Sequence, residues 1–399
     1  MNKKLLIILI LLFSPILTAC WDRYELEERA NILGLSIDIA ERESDTPELS
    51  YSEDKFPGGE QNALYRVTAQ LAVPGKIKLG PEGVGGDGSG QTAWVLETVG
   101  HTLDDAMSNL QQQLAEKLYL GHLQIVIIND EVAKEGMDVI NDFLKRNYEV
   151  RRTAWMVISE DVASDVLEAA PPIETVPALY LSETLENAAR LGQLPTEYLG
   201  KFWVDLEEEG VDAKLPLVKV LEKERILING LAFFNGEKMV GTMTPIEIGA
   251  YLAMREKNPG GYPIAVSSKD GEVYLVESLK RDSKIKVNVK NGQPKAFIDV
   301  EIDSSIDEEI GANDLSKQKV DELEQEASRV AGERFEETLK KWQEKESDIL
   351  GLGGRVRAFY PKYWDENVKT DEKWAEVYKK MTIKVNVKYR IKHAGMQWK

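Results

Sequence analysis

The hydrophobic and polar positions of the first half of the chain switch repeatedly between the period of a strand and the period of a helix. Period-two alternation or a short apolar run predicts strands at residues 32–40, 65–73, 92–99, 123–128 and 154–159. Apolar residues at helical spacing predict helices at residues 103–118, 139–144, 162–169 and 183–199. Thr102 and Asp105 supply a capping box for the first of these helices. This alternating order predicts a layered α/β domain.

Hairpin patterns dominate the second half of the chain. Residues 226–243 contain two apolar segments joined by Asn235 and Gly236, a dipeptide that favours a tight hairpin turn. Residues 285–289 alternate apolar side chains with lysines, which predicts a strand with one face in solvent or at a sheet edge. Residues 383–391 alternate in the same way and predict a final strand.

Two helices are predicted among these strands. Thr244, Pro245 and Glu247 combine an N-cap, a proline at the first helical position and a reciprocating glutamate, so a helix should follow to about residue 257. Residues 314–345 carry one apolar stripe without a sustained heptad, which predicts a long helix packed on a sheet. The chain as a whole is therefore predicted to be an α+β protein of several domains, with a mixed α/β domain followed by a hairpin-rich α+β region.

Changes in composition suggest where the domains end. Residues 1–19 are interpreted as a signal peptide, and residues 20–205 as the N-terminal α/β domain. Residues 206–225 begin with a run of acidic side chains and are interpreted as a linker. Residues 226–399 are predicted to form the C-terminal α+β domain, which a break near residue 280 could divide into two subdomains.

The first twenty residues have the plan of an export signal. Lys3 and Lys4 precede an unbroken apolar run at residues 5–13, and Pro15 interrupts the apolar segment soon afterwards. A membrane-spanning helix needs about 20 apolar residues, so this run is too short for a stable helical anchor. Leu17 disfavours ordinary signal cleavage after residue 19, because that cleavage requires small residues at both subsites.

Cys20 instead completes a bacterial lipobox, in which Leu17, Thr18 and Ala19 precede the modified cysteine. The thiol would receive a diacylglyceryl group, and cleavage would leave N-acylated Cys20 as the first of 380 residues. Two or more acyl chains, such as palmitate, would hold the protein firmly on a membrane, whereas one chain binds only marginally. The alternative is that Cys20 is a small buried residue beside Trp21.

Charge and cysteine content exclude several classes of function. The 399 residues include 50 lysines and arginines against 68 acidic residues, and the net charge of −18 becomes −20 once Lys3 and Lys4 leave with the signal peptide. Such an acidic surface repels nucleic acids and anionic lipids, so membrane attachment would depend on the acyl chains. One cysteine excludes an internal disulfide, and three histidines leave few ligands for a metal. The sequence contains no motif of hydrolase or zinc-enzyme catalysis, so neither enzyme activity nor a cofactor is predicted.

Several segments, in one order along the chain, resemble the C subunits of bacterial spore germinant receptors, the Ger(x)C or GerAC-like family. The residues that carry the resemblance are Cys20, Trp21, Asp22, Arg23, Glu25, Leu26, Ala30, Leu33, Gly34, Ile37, Asp38, Leu120, Gly121, His122, Gly230, Ala232, Phe233, Val240, Gly241, Glu247, Gly351, Gly353, Arg355, Val356, Arg357, Tyr360, Pro361, Trp364, Trp374 and residues 385–391. Because these segments lie at the start, middle and end, the resemblance covers most of the mature chain.

The resemblance implies a non-enzymatic lipoprotein on the outer face of the inner membrane of the spore. Such a protein works in a complex with two integral membrane subunits, A and B, that responds to nutrients such as amino acids or sugars and starts ion release. The family implies no cofactor other than the lipid on Cys20. Whether this subunit itself binds a nutrient is left open.

Three groups of residues are candidate sites, each with a structural alternative. Asp22, Arg23 and Glu25 would be held near the bilayer by Cys20 and could contact a membrane subunit, or they could cap the first helix. His122 could titrate near neutrality as a switch, although a structural role is favoured. The aromatic cluster of residues 359–364 could anchor a protein partner, although closing a domain core is favoured.

Two other functions compete with a receptor subunit. A solute-binding lipoprotein of a nutrient importer would have the same size and anchor, but it would consist of two similar parallel-sheet lobes. The hairpins after residue 226 favour two unlike halves instead. A cell-wall hydrolase would require a catalytic carboxylate pair, which the sequence does not single out.

Overall fold

The computed structural model describes residues 29–40, 64–73, 92–169, 176–222, 225–255, 258–261, 263–310 and 316–394. The strands of a first sheet are β1 (Arg29–Ile39), β2 (Tyr65–Ala72), β3 (Ala93–Gly100), β4 (Lys117–Tyr119), β5 (Ile125–Asn129), β6 (Trp155–Ser159), β7 (Lys214–Glu222), β8 (Arg225–Asn235) and β9 (Lys238–Met243). The helices that accompany them are α1 (Leu103–Gln111), α2 (Asp130–Glu135), α3 (Asp138–Arg146), α4 (Ala163–Glu168), α5 (Pro177–Arg190) and α6 (Leu199–Glu207).

The first sheet has its strands in the order β3-β2-β1-β5-β6-β7-β8-β9, and β4 lies beside the start of β1. The four central strands β1, β5, β6 and β7 run parallel. An antiparallel pair flanks them on each side. Strands β5 and β6 are almost wholly apolar and buried, as expected for central strands with helices on both faces.

Helices cover both faces of this sheet. Helices α1, α2, α3 and α6 pack on one face, where their apolar side chains share a core with Val126, Ile128 and Met156. Helices α4 and α5 pack on the other face with Ile125 and Ile127. This second core continues without interruption into the C-terminal half of the molecule.

The C-terminal half is built on a second sheet. Its elements are α7 (Pro245–Arg255), β10 (Asn258–Pro259), β11 (Ile264–Ser267), β12 (Val273–Lys290), β13 (Gln293–Ile310), α8 (Lys317–Glu344), α9 (Leu352–Phe359), α10 (Pro361–Asn367), α11 (Asp371–Lys379) and β14 (Thr382–Ala394). Strands β12 and β13 form a long hairpin closed by Asn291 and Gly292, both of which have positive φ as a type I′ turn requires. Strand β14 pairs parallel to β13 after the chain has crossed the sheet through α8.

Alternation along β13 determines which face of the second sheet is buried. Ala296, Ile298, Val300 and Ile302 point into the core, while the residues between them are exposed. Helices α7 and α8 cover the buried face, with Leu323, Phe335 and Trp342 on the inner stripe of α8. The predicted long helix, the half-solvated strand and the capping box of Thr244 and Glu247 are all confirmed.

Two predicted helices have the wrong bounds. The helix predicted to reach residue 118 ends at Gln111, because residues 117–119 extend as β4 alongside β1 and Leu118 donates its backbone N–H to the Gln111 side chain. The helix predicted at 183–199 begins earlier, at Pro177, and ends at Arg190. Gly192, with φ of +69°, turns the chain there before α6 begins at Leu199.

Two of the predicted domain features are also wrong. Residues 214–222, placed in an acidic linker, form β7, which pairs with β6 on one side and β8 on the other. Glu207 and Glu208, before β7, are exposed, whereas residues 214–218 of β7 are buried in the sheet. The break predicted near residue 280 is an irregularity in pairing between Ser278 and Lys280, and β12 continues through it.

Helix α8 contains a glycine whose replacement should stabilise the protein. A Cβ added at Gly332 would meet no other atom within 4 Å, so alanine fits without strain. We expect Gly332→Ala to raise the free energy of unfolding by about 0.5–1 kcal/mol, because glycine is a poor helix former. Urea denaturation measures the change. Gly351→Ala is the control and should destabilise instead, since Gly351 has φ of +68°. Equal shifts in the two variants would contradict this expectation.

Candidate functional site

A buried group of charged residues lies where the two halves of the molecule meet, and we call it the junction cluster. It consists of Glu197, Asp205, Lys214, Tyr251 and Arg255. Lys214 is the first residue of β7, Asp205 is on α6, and Glu197 lies just before α6. Tyr251 and Arg255 lie on α7, which belongs to the second half of the chain. The cluster therefore joins elements from both halves of the chain.

Lys214 is the centre of the junction cluster. Its Nζ lies 2.9 Å from Glu197 Oε1 and 2.9 Å from Asp205 Oδ2, and its side chain is fully buried. The ammonium also lies 5.5 Å from the centroid of the Tyr251 ring, a cation–π distance. Arg255 donates to the Tyr251 hydroxyl and lies 3.9 Å from Glu197. Lys201, one turn before Asp205, forms a second ion pair with it.

Burial and opposite charge act against each other in this cluster. Burial alone would lower the pKa of Lys214, but the neighbouring carboxylates, led by Glu197, hold it above its usual value. Burial would raise the pKa of Asp205, yet Lys214 and Lys201 hold it below its usual value. For Glu197 burial prevails, and its pKa is raised. Lys214 thus stays protonated and is the shared cation of two buried carboxylates from different elements.

A second group, the carboxylate lock, lies nearby and consists of Asp212, Asp348 and the groups that donate to them. Asp348 is fully buried and accepts hydrogen bonds from Leu352 N (3.0 Å), Gly353 N (2.8 Å) and Trp374 Nε1 (2.9 Å). Asp212 accepts from Asp348 N at 2.6 Å, and its own N–H donates to Asp348 O. The loop before β7 is thereby fastened to the loop between α8 and α9.

The carboxylate lock should make stability depend on pH. Burial raises the pKa of Asp212 to about 7 and that of Asp348 to about 6, from an ordinary 3.8. Between pH 3.8 and about 7 the folded protein therefore binds protons at these groups that the unfolded chain has released. Their contribution to stability is complete below this window and is lost as the pH rises through it.

We expect Asp212→Asn to remove part of this dependence. As the pH rises from about 4 to about 7, the free energy of unfolding of the unmodified protein should fall relative to the variant, by at most about 1.4 kcal/mol per pH unit for one group. Urea denaturation of both proteins at a series of pH values measures the difference. Asp142→Asn, at an exposed surface pair with Arg146, is the control and should leave the pH dependence unchanged. Parallel curves for Asp212→Asn and the unmodified protein would contradict the expectation.

The lipidation site and the predicted partner contact lie outside the described residues. They are Leu17, Thr18, Ala19 and Cys20, and Asp22, Arg23 and Glu25. His122, by contrast, is described: burial, with the nearby charges of Arg151 and Arg29, lowers its pKa and favours the neutral imidazole. Its ring contacts the edge of Tyr119, with 5.8 Å between the ring centroids.

The aromatic cluster divides between core and surface. Trp364 is buried, as the structural interpretation predicts, and its ring centroid lies 5.6 Å from that of Trp374, which lies 6.5 Å from that of Tyr378. Phe359 is 70% exposed and remains available for contact. It lines a cleft of 330 Å³ that also reaches Lys201 and Arg255 of the junction cluster region.

Lys214 is not among the residues that the sequence singles out, because it lies in the segment predicted to be a linker. One signal was available: Lys214 interrupts an otherwise apolar segment at 213–218, a pattern typical of a buried strand with a paired charge. Within the ranges that the structure describes, no group of three or more His, Cys, Asp or Glu side chains could hold a metal ion. No helix in the same part of the chain is long and apolar enough to cross a membrane.

The comparisons with known proteins cover nearly the whole chain. Residues 22–220 match the family described as the spore germination protein N-terminal domain, and residues 229–395 match the spore germination B3/GerAC-like C-terminal family. The chain belongs to the Ger(x)C family of spore germination proteins. The resemblance seen in the sequence is thereby confirmed.

Curated relatives and a solved structure agree with membership of the Ger(x)C family. Spore germination protein KC of Bacillus subtilis (strain 168) is 24% identical, with 99% of this chain and 97% of the relative covered. Spore germination protein GerQC of Bacillus cereus is 22% identical, with 84% and 91% covered. The crystal structure of the GerBC protein matches with a TM-score of 0.56 at 18% identity, covering 83% of this chain and 94% of that one. This likeness confirms the α+β, multi-domain fold class.

Several of the residues that resemble the Ger(x)C family have structural roles in this chain. A Cβ at Gly34 would lie 2.7 Å from Leu167 Cδ2, so only glycine lets α4 approach β1. Asp38 accepts hydrogen bonds from Ala163 N and Ser164 N at the start of α4. At Gly353 a Cβ would lie 2.5 Å from Trp374 Nε1. These family residues therefore maintain close packing between elements.

Proposed function

We propose that this protein is the non-enzymatic, lipid-anchored C subunit of a nutrient germinant receptor, and that it is required for the germination response. It would lie on the outer face of the inner spore membrane and act with the integral membrane A and B subunits. Membership of the Ger(x)C family is the observation that carries the proposal. The lipobox supports the anchor, since Cys20 lies two residues before the start of the family match at residue 22.

The internal role of the buried charges supports the non-enzymatic part of this proposal. The most strongly perturbed charges that we find, in the junction cluster and the carboxylate lock, are engaged in holding the two halves together. The importer alternative finds no support in the architecture. A solute-binding lipoprotein has two similar parallel-sheet lobes, whereas the described residues form a mixed nine-stranded sheet and a mostly antiparallel second sheet.

Replacement of the lipobox cysteine tests the anchor. Cys20→Ala should abolish labelling by radioactive palmitate and release the protein from the spore membrane fraction, because no acyl chain would remain to hold an acidic protein on the bilayer. Spores with this variant should lose the germination response to at least one nutrient while vegetative growth stays normal. Ser14→Ala changes the same signal peptide but keeps the lipobox, and it should label, fractionate and germinate like the unmodified protein. Labelling that persists in Cys20→Ala would overturn the proposed anchor.

The charged residues that follow the anchor provide a test of the partner proposal. Asp22, Arg23 and Glu25 would lie next to the membrane, where a contact with an integral subunit is accessible. Arg23→Glu should reduce co-purification of the A and B subunits while leaving palmitate labelling intact. Arg357→Glu, at an exposed pair with Glu209 distant in sequence from the anchor, is the control and should leave co-purification intact. Unchanged co-purification with Arg23→Glu would assign these residues to helix capping.

A further inference from the structure

A semi-enclosed cavity of 220 Å³ lies in the C-terminal half, and we call it the α7–α8 cavity; none of its described lining residues belongs to the junction cluster. It is bounded by α7, α8, β11 and the buried face of the second sheet. Its described lining includes Gly249, Ser278, Arg281, Ala331, Arg334 and Tyr389. The volume lies below the roughly 300–1,000 Å³ of drug-sized sites, so it suits one small metabolite.

The walls of the cavity are apolar, and the only charges among the described lining residues are positive. Ala331, Phe335 and Ile302 are buried and form apolar wall. Arg281 is buried with 2% exposure, whereas the Arg334 side chain is half exposed, 3.7 Å from Glu337 on the same helix. In a chain of net charge −18, the described lining of this cavity thus holds two arginines and no acidic side chain.

The guanidinium of Arg281 is fixed in position by the backbone around it. It donates to the carbonyl oxygens of Gly192 (2.8 Å), Gly249 (3.3 Å) and Gly260. Burial lowers the pKa of Arg281 to about 10, so the group stays charged at neutral pH. A positive charge held in surroundings of low polarity acts more strongly on a nearby anion than the same charge would in water.

Two hydroxyl groups complete the polar part of the lining. Ser278 lies beside Arg281 along β12, and its side chain hydrogen-bonds with Tyr389. These neutral groups can accept or donate hydrogen bonds, but they add no charge. The cavity therefore offers one buried positive charge, a neutral polar pair and a larger apolar surface, which together match one negative charge joined to a compact hydrocarbon group.

We propose that the α7–α8 cavity binds a small monocarboxylate with a compact apolar body, its carboxylate towards Arg281 and its hydrocarbon part against α7 and α8. A single buried cation favours a monoanion, because a dianion such as phosphate would lose more hydration than one charge can offset. Binding here does not depend on the lipid anchor, so it can fail or succeed independently of the proposed receptor role.

Thermal unfolding of the full chain in lipid nanodiscs tests this site, with 3-methylbutanoate as the probe. At about 10 mM it should raise the melting temperature by about 2 °C, because a ligand that binds only the folded state stabilises it. The neutral isostere 3-methylbutanamide and the cation 3-methylbutylamine should give no shift. Acetate, which has almost no apolar body, should give less than half of the shift seen with 3-methylbutanoate. Sodium chloride at equal ionic strength should give no shift.

Two glycine variants test whether the shift in melting temperature arises from binding in the α7–α8 cavity. A Cβ at Gly249 meets no atom within 4 Å and this residue lines the cavity, so Gly249→Leu should fill it and abolish the shift. Gly332→Leu is the matched control, since Gly332 is also a helical glycine with open space but does not line the cavity, and it should keep the shift. Circular dichroism checks that both variants are folded.

A milder variant keeps the test informative if Gly249→Leu does not fold. Arg334→Gln removes the half-exposed charge at the cavity and should weaken binding of 3-methylbutanoate about threefold in isothermal titration. A shift that is equal for acid and amide, or a full shift that persists in Gly249→Leu, would overturn the proposal. Absence of any shift with 3-methylbutanoate in the unmodified protein would do the same and would assign Arg281 to structure alone.

Discussion

Replacing Lys214 with methionine is expected to lower the free energy of unfolding by about 3–5 kcal/mol, because it leaves the carboxylates of Glu197 and Asp205 buried without their shared cation. Methionine preserves most of the side-chain volume, so the lower free energy of unfolding would result from the missing charge and not from a cavity. The midpoint of urea denaturation at neutral pH measures the change. The size of the effect would show that the junction cluster contributes substantially to the attachment of the two halves.

Two variants separate this effect from the loss of an ordinary ion pair. Lys145→Met removes a partner of Glu207 at a similar distance, 3.0 Å, but on the surface, and should cost about 1 kcal/mol or less. Adding Glu197→Gln to Lys214→Met should recover part of the loss, because Asp205 keeps Lys201 as a partner. If Lys214→Met unfolded at the same urea concentration as Lys145→Met, the junction cluster would have no special role in stability.

Asp348→Ala is expected to have the second-largest effect, a loss of about 3 kcal/mol. The substitution leaves the N–H groups of Leu352, Gly353 and Trp374 buried without their acceptor. Because Trp374 is one of these donors, its fluorescence should change together with stability. Urea denaturation followed by tryptophan emission measures both.

A conservative substitution at Asp348 and a surface control show which property of Asp348 stabilises the protein. Asp348→Asn keeps one acceptor oxygen and should cost less than half as much as alanine. Asp142→Ala removes an exposed carboxylate that pairs with Arg146, and it should leave the denaturation midpoint unchanged. A full-sized loss in Asp348→Asn would point to the negative charge, and not to the hydrogen bonds, as the stabilising feature.

Local patterns in the sequence predicted much of the fold correctly. The capping box of Thr244 and Glu247 forms as expected. The predicted hairpin also forms, although its two loop residues are Gly236 and Glu237, one position beyond the predicted Asn235 and Gly236. Both signals depend only on neighbouring residues. The long helix α8 followed from its single apolar stripe. These signals succeed because the interactions that produce them lie within a few residues of one another.

The errors lie where distant partners decide the conformation. Residues 117–119 became a strand because β1 lies beside them, more than eighty residues away in the sequence. Lys214 is tolerated in a buried strand because Glu197 and Asp205 approach it in space. No local pattern specifies such pairings, so both the acidic linker and the long first helix were natural but incorrect interpretations.

In the candidate site, too, local features could be predicted from the sequence and long-range contacts could not. The residues that resemble the Ger(x)C family are recognisable in the sequence, but their structural roles are not. Gly353, for example, leaves space for Trp374 to donate to Asp348, and these three residues come from separate segments. The α7–α8 cavity likewise depends on Arg281, whose carbonyl partners at Gly192 and Gly260 come from two different loops. Contacts of this kind between distant segments can be identified only from the structure.

The hairpin of β7 and β8 lies at the border between the two family matches, which end at residue 220 and begin again at residue 229. The two matched regions are thus joined by a ladder of backbone hydrogen bonds between β7 and β8, with irregularities in register at Leu217/Val218 and Val220/Glu222. A hinge at this border would have to break the ladder, which is costly. Bending of the chain at the border between the two matched regions is therefore opposed by the pairing of β7 with β8.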